Sequence, residues 1–286
     1  MLKTLVLLSL LPGLLSCGQM IASAKKEFAE DLSATILRHD EPETIKQALP
    51  AYLVLTDSMV RGDDTNIDLL LSAAKLYGAY ASVFVEDATR RQKLAKRAFA
   101  YAHRALCLRA GEDNATACNL KKVSYARFEQ ALQKFSKADA ALLLTLGSTW
   151  AGVIQANRGD WNAVAELPKV KAVIQRVLQL DEGISNGDAH VYMGVMQSLL
   201  PPAMGGKPAL AEKHFKQALE LSQRSNLMAL LLYAEKYARL VFDRPLHDRL
   251  LGEILAADIS QSPQRLIDTI AKQKAERLLA GADDYF

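Results

Sequence analysis

Apolar residues recur at helical spacing along almost the whole chain. Phe28, Leu32 and Ile36 share one face, and Ile45, Leu49, Tyr52 and Leu53 share the next. Leu69, Leu76, Tyr77, Tyr80, Val83 and Phe84 make a third stripe, and Leu94, Ala98, Ala102, Ala105 and Leu106 a fourth. The three-to-four spacing predicts helices, because it returns side chains to one side of a 3.6-residue turn. No stretch alternates apolar and polar residues long enough to predict a strand. The breaks are chemically explicit. Pro42 and Glu43 open a helix behind Asp40 or Glu41. Gly62-Asp63-Asp64-Thr65 separates two helices, and Asp87-Ala88-Thr89 interrupts again. The expected fold class is all-α.

The predicted helices also pair. One carries bulky residues and the next carries small or β-branched ones. Tyr77-Gly78-Ala79-Tyr80 precedes Ala98, Ala102 and Ala105. Trp150-Ala151-Gly152 precedes Val170, Val173, Ile174, Val177 and Leu178. Tyr192-Met193-Gly194 precedes Ala211, Phe215, Ala218 and Leu219. The last series, Ala-x3-Phe-x2-Ala-Leu, matches the second half of a tetratricopeptide repeat. Small residues let the helices of a hairpin approach, and an aromatic fills the gap to the next hairpin. The pairs are longer than the usual repeat of about 34 residues because the turns carry insertions. The pattern predicts an irregular tetratricopeptide-like helical-hairpin solenoid. The alternative is a non-repetitive helical bundle.

The N-terminus follows another pattern. Lys3 precedes an apolar run, Leu5 to Leu15, that ends in Leu14-Leu15-Ser16-Cys17. The run is far shorter than the roughly 20 residues needed to span a bilayer. It has the proportions of a signal peptide, and Leu-Leu-Ser-Cys has the form of a lipobox. Residues 1–16 are therefore expected to be a lipoprotein signal peptide, and 17–286 a single all-α domain anchored through a lipid on Cys17. Gly18 after the cysteine fits transfer to the inner leaflet of the outer membrane, facing the periplasm. The alternative is an ordinary cleaved signal peptide.

Composition narrows the function. Hydrophobic residues make up 50% of the chain, enough for a substantial core. The formal net charge is +3, one lower after loss of Lys3, with both signs interspersed. Nucleic acid is not an expected partner, since that needs a concentrated basic face. Apart from Cys17, the chain has Cys107 and Cys118, separated by the turn-like Gly111-Glu112-Asp113-Asn114. In an oxidising compartment they are expected to bridge, which on the chain-entropy estimate stabilises by roughly 3 kcal/mol. Two free thiols are the other possibility.

No catalytic, cofactor or metal site emerges. His103 and Cys107 lie one helical turn apart, but no third ligand accompanies them at helical spacing. His190 and His214 fall on the two helices of one hairpin and are expected to form hydrogen bonds. Asp181, Glu182 and Asp188 lack the alternating oxygen spacing of a calcium loop. Pro201-Pro202-Ala203-Met204-Gly205-Gly206-Lys207-Pro208 is the densest break in the chain. It lacks the Ser or Thr after Lys and the preceding strand of a phosphate loop. It is expected to be a turn between helices, or a shaped insertion at a pore mouth or partner surface. Trp150, Trp161, Tyr192, Met193, Met196, Tyr233 and Tyr237 fall in neighbouring predicted helices of the C-terminal half. Most such side chains form core. The sharper expectation is that some line an apolar channel or partner surface together with Pro201, Met204, Gly205 and Gly206.

From Trp150 onward the chain resembles a known family. The resemblance runs through Trp150-Ala151-x2-Ile154, Asn157-x2-Asp160, Leu167-Pro168 and Val177-Leu178-x-Leu180-Asp181. It continues through Gly187-x2-His190-x3-Gly194, Pro201-x3-Gly205-Gly206 and Ala211-x2-His214-Phe215-x2-Ala218-Leu219. It ends with Tyr233-Ala234, Tyr237-Ala238, Asp243, Leu250-Leu251, Ala275-x2-Leu278-Leu279 and Asp283-Asp284-x-Phe286. The N-terminal half is similar only in helical character. In this order the motifs resemble the T-component of periplasmic TRAP transporters. The resemblance implies a non-enzymatic tetratricopeptide-type lipoprotein that associates with the solute-receptor subunit, the P-component, of a sodium-coupled importer. It also implies a trimer with apolar channels and a small hydrophobic ligand. The rival function is a lipoprotein scaffold for envelope assembly.

Overall fold

The computed structural model describes Asp31 and residues 34–286, apart from Lys121, Leu200, Pro201 and Gly205, and the backbone alone of Met204. Among the described residues the fold is all-α, with no strand. No described helix is long and apolar enough to cross a membrane. The proposed lipidation residue, Cys17, lies outside the described residues.

The chain opens with three long helices: α1 (Pro42–Gly62), α2 (Ile67–Val83) and α3 (Ala88–Ala110). Their starts follow the local chemistry. Glu41 caps α1, with Pro42 at the first helical position, where its missing N–H costs nothing. Asn66 Oδ1 accepts from the Leu69 amide at 3.0 Å to cap α2. Asp87 Oδ1 accepts from the Arg90 amide at 2.7 Å to cap α3. The break expected at residues 87–89 is thus the cap itself, and the helix begins immediately after it. Asp57 ties the three helices together. It accepts from Tyr77 Oη at 2.8 Å and pairs with Arg97 at 2.8 Å.

Shorter elements follow: α4 (Ala115–Cys118) and α5 (Tyr125–Leu132). Then come α6 (Ala140–Ala156), the single turn α7 (Trp161–Val164), α8 (Leu167–Leu180) and α9 (Ile184–Gln197). The remaining elements are α10 (Pro208–Leu221), α11 (Leu227–Leu232), a π-helix (Tyr233–Ala238), α12 (Arg244–Ala256), α13 (Arg265–Ala280) and α14 (Ala282–Tyr285).

The three hairpins expected from the sequence form: α2 on α3, α6 on α8 and α9 on α10. Glycine position decides two of them. A Cβ on Gly147 would lie 2.5 Å from Ile174 Cδ1, and one on Gly194 would lie 2.9 Å from the Phe215 ring. The contact glycine of the α6–α8 hairpin is therefore Gly147. Gly152, in the triplet singled out by the sequence pattern, would meet nothing within 4 Å. Phe215 fills two roles, because it also stacks on Tyr233 of the π-helix, with ring centres 5.0 Å apart.

The array does not end open. Leu266 and Ile270 of α13 pack with Ile45, Leu49 and Leu53 of α1 and with Tyr77, Tyr80 and Ala98. Arg265 reaches Asp40 at 3.5 Å. The last long helix therefore closes on the first.

Candidate binding sites

Topology sets which turns share an edge. Successive antiparallel helices alternate direction, and α8 packs on α9. The turn inside the α6–α8 hairpin and the turn inside the α9–α10 hairpin therefore lie at the same edge of the array. Trp161 stands in the first turn, and the proline-rich loop is the second.

Trp161 is 84% exposed. Asp160 caps its turn, with Oδ1 accepting from the Asn162 amide at 2.9 Å. The capped turn thus holds a large aromatic out in solvent. In the proline-rich loop, residues Pro202–Met204 form a short 3-10 turn, with Pro202 and Ala203 exposed and Gly206 half-buried. The Lys207 amide donates to the Gln197 carbonyl at 3.3 Å and draws the ends of the loop together. Leu199 and Leu210, at its two feet, are both exposed. Pro201 and Gly205 lie outside the described residues, as does the Met204 side chain.

Three of the other singled-out residues are core, which corrects the expectation that they line a surface. Trp150 is 1% exposed, and Met193 and Met196 are buried. Trp150 packs against Phe99 and Phe128, and its Nε1 donates to Glu166 Oε2 at 2.7 Å. An indole so enclosed, with its one donor satisfied, has nothing left to offer a ligand. Met193 and Met196 belong to the same core.

Tyr192 is half-buried and belongs to a polar cluster that periodicity did not reveal. Burial pushes its phenol up to about 12, as does the nearby Asp188, against the Ser148 hydroxyl. Burial pushes the Asp188 carboxyl up to about 6, against the Asn226 amide, which donates to it at 3.2 Å. One turn along, the two histidines meet. His190 Nδ1 lies 2.8 Å from His214 Nδ1, and His190 Nε2 lies 3.0 Å from Glu182 Oε1. Two facing Nδ1 atoms share a single hydrogen, so both rings cannot be cationic without breaking that bond. Burial, then His190 and Lys213, push His214 down to about 4. Just before the cluster, Ser185, Asn186 and Gly187 are all in the left-handed region. Gly187 is required there, since a Cβ would lie 3.2 Å from Ala218 Cα.

Cys107 and Cys118 are joined as a disulfide between α3 and α4, with Cα atoms 4.9 Å apart. Tertiary structure brings Cys118 to His103 and Cys107, so the third ligand missing at helical spacing is supplied by another helix. The bridge uses both sulfurs, however, and a metal needs them as thiolates. His103 Nε2 is already 2.7 Å from the Cys118 carbonyl oxygen.

Comparison with known proteins adds one finding. The model of a family described as TRAP transporter T-component matches residues 38–286, so the similarity extends well into the N-terminal half. No curated protein matches the chain.

Proposed function

The chain belongs to the TRAP transporter T-component family, and on that premise we propose how this accessory subunit works. It is a non-enzymatic periplasmic lipoprotein, held through Cys17 at the outer membrane and assembled as a trimer. It docks the soluble P-component receptor and exchanges a small ligand of apolar character with it. The docking surface is the edge that carries Trp161 and the loop between α9 and α10. The observation behind this is the exposure of Trp161, Leu199 and Leu210 on turns that topology sets at one edge. Aromatic and aliphatic side chains anchor interfaces where a rigid scaffold has already met their ordering cost.

The test is a binding isotherm between the purified subunit and a purified P-component receptor. Trp161→Ala and Met204→Glu should each weaken docking at least tenfold, with unchanged far-ultraviolet circular dichroism. Unchanged affinity in both variants would overturn the surface assignment. Receptor binding to neither variant nor wild type, with envelope-assembly factors recovered instead, would favour the scaffold function.

A further inference from the structure

The edge that carries Trp161 and the proline-rich loop is short of negative charge where helices ordinarily supply it. Acidic side chains in the first turn of a helix offset the positive end of its dipole. Both α8 and α10 start at this edge, and neither has an acidic first turn or a side-chain cap. By contrast, α2, α3 and α12 are capped by Asn66, Asp87 and Asp243. No acidic residue occurs anywhere in α8, nor between Gln197 and Ala211. The two acids in the turn before α8 are engaged. Asp160 caps the turn of Trp161, and Glu166 accepts from Trp150 Nε1.

Two lysines add cations to this edge. Lys171 of α8 is half-buried, and its Nζ lies 3.5 Å from Gln197 Oε1 at the end of α9. Lys207, at the start of α10, is tied to the same residue, because its amide donates to the Gln197 carbonyl at 3.3 Å. Gln197 therefore brings the two lysines together from neighbouring helices. Neither forms an ion pair among the described residues, unlike Lys46, Lys137, Lys216 and Lys236.

The arrangement is costly for the isolated chain. Burial, and then the charge of Lys207, hold the Lys171 ammonium below the usual lysine range. A cation that has lost part of its water and faces a second cation is stabilised by an anion placed between them. Lys169, two residues before Lys171, shows the other solution. It donates to the Leu120 carbonyl and, at 3.0 Å, to the Val123 carbonyl. No backbone carbonyl does this for Lys171, whose hydrogen-bond partner among the described residues is Gln197.

We propose that Lys171 and Lys207 receive an acidic side chain of the docked partner, which enters between them beside the loop. A carboxylate fits because its two oxygens can each take one ammonium group. Docking expels water from the contact, so one repulsion gives way to two attractions in a medium that screens them little. Leu199 and Leu210, exposed at the feet of the loop, set this charged centre in an apolar surround. The partner surface that fits is therefore an acidic residue flanked by apolar ones. The proposal rests on the docking edge assigned above and adds the chemistry of what that edge recognises.

The experiment is isothermal titration of the folded chain with purified P-component receptor at two salt concentrations. Lys171→Met keeps the length of the stem, and Lys207→Gln lies at an exposed position. Each should weaken docking about threefold, and the double variant about tenfold, with unchanged circular dichroism. Lys96→Gln, an exposed lysine on α3, is the control and should bind like the natural chain. Raising sodium chloride from about 50 to about 300 mM should weaken natural docking about fivefold and leave the double variant almost unaffected. Full affinity in the double variant would overturn the proposal, as would natural docking that does not respond to salt. An equal loss in Lys96→Gln would also overturn it, because the effect would then be one of net charge. If Trp161→Ala weakens docking while the double lysine variant does not, the docking edge stands and this contact alone fails.

Discussion

Glycine and aromatic residues show most directly how single side chains set this fold. Gly147 and Gly194 sit where a neighbouring helix leaves no room for a methyl group, whereas Gly152 faces open space. Gly194→Ala should therefore destabilise by roughly 1–3 kcal/mol, because the stacked Phe215 cannot retreat freely from Tyr233. Gly152→Ala should be neutral or stabilise by about 0.5–1 kcal/mol through helix propensity alone. Urea midpoints for the two variants check this pair, and equal shifts would contradict the packing assignment. Both residues lie on helices the sequence predicts. Which one is enclosed depends on the facing helix, and no local spacing reveals that.

The hairpin of α9 and α10 carries two groups with opposite titration behaviour. The folded Asp188 carboxyl titrates near 6, above its ordinary value, so it contributes stability as pH falls through about 6. Folded His214 titrates near 4, below its ordinary value, so its contribution is complete above pH 6.5 and lost as pH falls toward 4. Between pH 6 and 4 the two effects oppose each other. Relative to the natural chain, Asp188→Asn should gain most stability above pH 7, and the gain should fade by about pH 4. His214→Gln should improve relative to the natural chain as pH falls from 6.5 to 4. Chemical denaturation at several pH values checks both signs, and difference curves independent of pH would refute them. Joining α3 to α4 is a separate matter. Replacing both Cys107 and Cys118 by Ser should cost about 2–3 kcal/mol on the loop-entropy estimate. Mass-spectrometric thiol counting on exported protein checks the bridge itself, and two alkylatable thiols would disprove it.

Across the molecule, the contact of α13 with α1 couples the two ends of the chain. An open solenoid would let α1 fray independently of the C-terminal helices. Here Ile270 is buried against α1 and α2 residues. Ile270→Ala should cost about 2–4 kcal/mol and should raise amide exchange across α1, more than 200 residues away in sequence. Hydrogen exchange with mass spectrometry measures this. Increased exchange confined to α13 would show that the ends are not coupled.

The sequence by itself determined the helical fold class, the three hairpins and the family. The helices and hairpins follow from short-range chemistry: 3.6-residue periodicity, and proline or glycine at breaks. It also pointed to the Cys107–Cys118 bridge, since one turn separates the two, and put His190 and His214 on the two helices of one hairpin. Only the tertiary structure decided which side chains are enclosed. A helical stripe shows that a face is apolar, but not whether the next helix covers it. Trp150, Met193 and Met196 therefore read as candidate surface and are core, while Trp161, in the same class by sequence, stands in solvent. The polar cluster around Asp188 left no periodic mark. It gathers residues from several elements, and only the packing of those elements brings their polar atoms to one place.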